Sequence, residues 1–63
     1  MNMNEPVFKI GDIVKWGDSE KPFVAGYVID ISIWNDEWDY HICWFKNGNI
    51  KRHRHHVLAK VEE

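Results

Sequence analysis

Apolar positions recur along this chain with a period of two, in short runs separated by turn-forming residues, a pattern that predicts strands and not helices. Phe8, Ile10, Val14 and Trp16 share one parity and Lys9 and Lys15 the other, so the even positions of the first run should be buried. Gly11-Asp12 inside that run predicts a bend, and Ile13 is left pointing outward. GDSEKP, residues 17–22, reads as a polar loop. The second run, Phe23 to Trp34, is long and β-branched but does not alternate cleanly. Gly26 and Val28 favour an inward even face, whereas Asp30 and Ser32 favour the odd face of Tyr27, Ile29, Ile31 and Ile33. One extra residue near Ile29-Asp30, a β-bulge, reconciles the two halves, because it flips the parity.

NDEWD, residues 35–39, then reads as a short acidic loop. DYHICWF follows, with Tyr40, Ile42 and Trp44 on one face and His41, Cys43 and Phe45 on the other. Asn47-Gly48 within KNGN is a strong hairpin signal and predicts a tight antiparallel return as NIKRHR. RHHV is long enough for one helical turn, and LAKV supplies a brief last strand. The expectation is an all-β fold of five strands with one short 3-10 turn before the last. Its core should hold Phe8, Val14, Trp16, Ile42, Trp44, Leu58 and Val61.

At 63 residues and 7.6 kDa the chain has room for a single domain, expected to span residues 1–63 with an ordered core from about 8 to 61. A two-domain enzyme, a dinucleotide fold and a (β/α)₈ barrel all need far more chain. Nine aromatic residues exclude a disordered tail. The single cysteine, Cys43, excludes an internal disulfide and a Cys-rich zinc site. No apolar run approaches the ~20 residues needed to cross a bilayer, and the opening MNMNEPVFK lacks the layout of a signal peptide. These features point to a soluble protein of a reducing compartment, the cytoplasm. A domain this small without staples should have only roughly 3–5 kcal/mol of net stability.

The net charge of −2 hides a sorting along the chain. Residues 1–45 carry three lysines against eight acids, while residues 46–60 carry Lys46, Lys51, Arg52, Arg54 and Lys60 with no acid. Three of the four histidines, 53, 55 and 56, fall in the basic stretch. Two electrostatically distinct faces are expected.

Ile10-Gly11-Asp12-Ile13-Val14-Lys15-Trp16, then Gly26-Tyr27-Val28, then Tyr40 to Trp44 before Asn47-Gly48, and finally Val57-Leu58 with Val61, resemble the SH3-like small-barrel superfamily in its Tudor-like and KOW-like branch. The likeness covers about residues 8–61 and is greatest to short bacteriophage proteins of this type. It implies a small five-stranded barrel, located in a host cytoplasm or a virion, that binds protein, RNA, DNA or methylated side chains. Such motifs specify fold far better than function.

Two segments are the leading candidates for chemistry. Trp34, Asp36, Glu37 and Trp38 combine ring and carboxylate in one loop, a composition suited to docking a basic or apolar protein surface. Lys51, Arg52, His53 and Arg54 would instead follow a nucleic-acid backbone, with Lys51, His53 and His55 on one strand face and the arginines on the other. The acidic remainder of the chain opposes that alternative. Edge-strand charges also serve simply to discourage aggregation.

Weaker constellations are a methyl-cation cage from Tyr27, Trp34, Trp38, Tyr40 and Trp44 with Asp36 or Asp39, and a zinc set from His41, Cys43, His53 and His55. Cys43 with His41 suggests a nucleophile and base on paper, but a barrel filled by its own side chains leaves little room for a pocket. The sequence therefore predicts a non-catalytic binding module without cofactor or metal. A protein partner comes first, nucleic acid second, and the oligomeric state stays open.

Overall fold

A computed structural model describes residues 5–17 and 24–61. Five strands, β1 (Ile13–Trp16), β2 (Ala25–Trp34), β3 (Glu37–Trp44), β4 (Ile50–His53) and β5 (Leu58–Lys60), form one antiparallel sheet in the order β4-β3-β2-β1-β5. A 3-10 turn, His55–Val57, precedes β5 as the sequence predicts. The sheet is open between its edges, β4 and β5, yet it is strongly curled. The rings of Trp16 on β1 and His53 on β4 lie 4.6 Å apart, although three strand spacings would separate them by about 14 Å in a flat sheet.

Curling is what encloses the core of Phe8, Val14, Val28, Tyr40, Ile42, Trp44 and Leu58. Tyr40, Ile42 and Trp44 share a face as their parity requires. The bulge falls where the alternation breaks: Val28 pairs with Ile42 and Asp30 with His41, leaving Ile29 over. Gly26 and Val28 are therefore buried ahead of the bulge, and Ile31 packs on the core beyond it. Gly26 has no room for a side chain, because a Cβ there would lie 2.6 Å from the Cys43 carbonyl oxygen.

Several expectations need correction. The first run is a strand only from Ile13. Before it, the Asp12 N–H donates to the Lys9 carbonyl, the Lys9 N–H donates to the Asp12 carboxylate, and Gly11 takes the left-handed φ of 96° that this turn demands. Ile10 sits at the turn and is exposed, while Phe8 reaches back to meet Tyr40 edge-on at 5.1 Å. Trp16 lies at the rim, 36% exposed, stacked on the buried Trp44 at 4.9 Å, and Val61 is only half-buried. Phe23 and most of the expected 17–22 loop fall outside the described residues.

The two connections exchange character. The acidic segment 35–39 is not a loop. Trp34 pairs with Glu37, so Asn35-Asp36 is a two-residue turn, and Glu37, Trp38 and Asp39 belong to β3. Both turn residues adopt left-handed φ, 52° and 61°, which Asn and Asp tolerate best after glycine. Asn47-Gly48 instead lies within a five-residue connection, residues 45–49. The Phe45 N–H is engaged by Ala25 of β2, and the chain closes on β4 only through Asn49.

Candidate functional site

Strand parity divides the basic segment. His53 pairs with Tyr40 and Lys51 with Ile42, so both face inward with the core, whereas Arg52 pairs with His41 and faces outward. Arg54 follows on Arg52's side. Its guanidinium lies 5.3 Å from the Trp34 ring centroid, donates to the Trp34 carbonyl at 3.0 Å, and stands 3.8 Å from the Glu37 carboxylate. Arg52 Nε stands 3.7 Å from Asp39, whose carboxylate is buried beneath it. Arg52 and Arg54 thus share one outer surface with Trp34, Glu37 and Asp39, where the two guanidinium groups stand against two carboxylates. A shallow hollow of about 200 Å³ lies there between Trp34, Asp39, Arg52, His53 and Arg54.

Of the four residues singled out for protein docking, Trp34 and Glu37 meet on the outer face, with Trp34 61% exposed. Asp36 occupies the turn. Trp38 lies on the opposite face, half-buried and packed against the core. The two tryptophans do not share a patch.

A second region lies at the mouth of the curled sheet. Trp16 and Trp44 stack, and the His53 ring meets both edge-on at 4.6 and 5.6 Å. With Ala25, Lys46 and Lys51 they border a groove of about 370 Å³. Burial in this aromatic corner pushes the His53 imidazole below its ordinary value, outweighing the Asp39 carboxylate that favours the cation; Lys51 adds to the lowering. His53 Nε2 is buried with no hydrogen-bond partner among the described residues, surroundings that disfavour the charged form.

The third region was missed in the sequence. Ile13 pairs with Tyr27, Tyr27 with Cys43, and Cys43 with Ile50, which sets one row across four strands on the outer face. Phe45 stacks on Tyr27 at 5.6 Å. Ile50 is 57% exposed and Phe45 53%. The outward parity of Ile13, unexplained by the pattern of its own strand, was the available signal. A parallel row of Asp30, His41 and Arg52 borders this patch.

Other constellations are not assembled. The cage rings are dispersed: Tyr27 stacks on Phe45, Tyr40 is buried against Phe8, Trp44 pairs with Trp16, and Trp34 lies under Arg54. His53 faces inward while His41 and Cys43 face outward, so the zinc set does not converge. His41 Nε2 is 2.9 Å from Ser32 Oγ, and the Cys43 thiol is directed at the Gly48 carbonyl at 3.7 Å. Among the described residues no helix is long and apolar enough to cross a membrane. No protein-family model matches the chain, and no significant match exists among curated proteins or solved structures.

Proposed function

We propose that this chain is a non-catalytic protein-docking module whose partner seats on the outer row of Ile13, Tyr27, Cys43, Ile50 and Phe45. The observation that carries the reading is the register that aligns those side chains. The solvated face of an antiparallel sheet is ordinarily polar, and a four-strand apolar row with an exposed aromatic pair is the composition of an interface centre. The bordering Asp30, His41 and Arg52 supply a polar rim. The partner is a folded protein with a compact apolar surface of its own, edged by groups able to pair with both an acid and a guanidinium. The row spans about 15 Å at the usual strand spacing, which suits a small and readily reversed contact. The likeness to short bacteriophage proteins favours a phage or bacterial assembly as the setting.

Strand parity weighs against a nucleic-acid site in which Lys51, Arg52, His53 and Arg54 act together, since the arginines are engaged on one face and the other two lie on the opposite one. The test is site-specific photo-crosslinking in the cells that make the chain, with the crosslinker at Ile50, at Phe45 and, as control, at the exposed Lys9. A discrete adduct from Ile50 and Phe45, lost on Tyr27→Asp and absent from Lys9, supports the reading. Equal labelling from all three positions, no adduct, or only an adduct of twice the chain mass overturns it.

A further inference from the structure

We infer that the groove beside Trp16, Trp44 and His53 is a second binding site, and that its ligand is single-stranded nucleic acid. The site stands independently of the outer row, which lies on the opposite face of the sheet. Its wall is the stacked pair of Trp16 and Trp44, of which Trp16 keeps 36% of its surface open and Trp44 only 8%. An indole held in place by a neighbour is a ready surface for a planar ring, and base–aromatic stacking tolerates any base. Lys46 and Lys51, both exposed, stand at the groove with Asn47 and Asn49, and no carboxylate borders it among the described residues. Two ammonium groups flanking an indole wall match a base with its backbone phosphates.

Other occupants fit less well. A methylated lysine would meet two like charges and, among the described residues, no acid. An acidic peptide would satisfy the lysines and leave the indole wall without a planar partner. A duplex offers no open base face, and about 370 Å³ holds roughly one nucleotide and not a helix. The arginines take no part, because Arg52 is beside Asp39 and Arg54 beside Glu37 and Trp34 on the far face.

Titration of the full chain with a thymidine decanucleotide, read by tryptophan fluorescence at several salt concentrations, tests the site. Quenching that saturates at low salt is expected. Lys46→Ala with Lys51→Ala should weaken binding at least tenfold and reduce the slope of log affinity against log salt by about 1.4, the share of two phosphate contacts on a single strand. Arg52→Ala should stay within about twofold of the parent, since its guanidinium is outside the groove. Both lysines are exposed, so the paired variant tests the groove without removing core. Absence of quenching at low salt overturns the inference. So does equal affinity for polyglutamate, which would make the ligand an acidic peptide, or an equal loss on Arg52→Ala.

Discussion

The guanidinium of Arg54 covers the indole of Trp34 and hydrogen-bonds to the carbonyl of the same residue, joining the end of β4 to the tip of the β2–β3 hairpin across twenty positions of sequence. The contact adds to the packing of Trp38 on the core in holding that end of the hairpin.

Arg54→Ala should therefore lower stability by about 2–4 kcal/mol, the sum of a partly exposed cation–π contact and one charge-assisted hydrogen bond. The Glu37 ion pair adds little, because that carboxylate is largely exposed. Arg54→Lys should recover only part of the loss, since an ammonium lacks the planar fork. Urea unfolding of both variants checks the order. Equal stability of the alanine variant and the parent would show that the cover is not energetically coupled to the fold.

The two stacked tryptophans should separate on truncation. Trp44→Ala removes a buried ring and should cost about 3–5 kcal/mol, enough to unfold a domain of this size. Trp16→Ala removes a ring that keeps a third of its surface in water and should cost roughly 1–3 kcal/mol, leaving a folded but weakened chain. Far-ultraviolet circular dichroism during thermal unfolding distinguishes the two, and the reverse order would contradict the placement of Trp16 at the rim.

Asp36→Gly should stabilise the protein by up to about 1 kcal/mol, the left-handed strain relieved at position 36 less the added entropy of glycine in the unfolded chain, Asn-Gly being the preferred pair for a two-residue hairpin. Asp36→Val should destabilise it, a β-branched residue being strained at that φ. Midpoints of chemical denaturation suffice to see both signs.

His53 predicts a pH dependence. Its folded value lies below the unfolded one, so the unfolded chain binds the proton first as pH falls. The neutral ring contributes no pH-dependent term above about pH 6.5, and stability declines from there down to the folded value. The slope of stability against pH from about 7 down to 5 should be flatter in His53→Gln than in the parent. Parallel slopes would mean that the imidazole is not kept neutral by its aromatic corner.

Much of the fold was legible because strand parity is a local property. The alternation of Tyr40, Ile42 and Trp44 identified the buried face of β3. The conflict between Gly26-Val28 and Asp30-Ser32 located the bulge to within a residue. The 3-10 turn before β5 followed from spacing alone. Turn length was less accessible: Asn47-Gly48 carries the stronger local preference, yet Asn35-Asp36 makes the two-residue hairpin. At Asn47-Gly48 the chain closes through Trp44 and Asn49, with the Gly48 N–H donating back to the Trp44 carbonyl, a wider closure than the local preference of Asn-Gly encodes.

The sequence by itself determined the number of strands, most of the core, the bulge and the division of the basic segment into two faces, all consequences of a two-residue repeat within one strand. Only the tertiary structure decided which side chains become neighbours across strands. Pairing register aligned Ile13, Tyr27, Cys43 and Ile50 into a row, and curling of the sheet brought Trp16 against His53. It also set Arg52 and Arg54 against the acids and ring of the hairpin. These contacts depend on how distant segments meet when the sheet bends to bury its core, and a period of two carries no information about that.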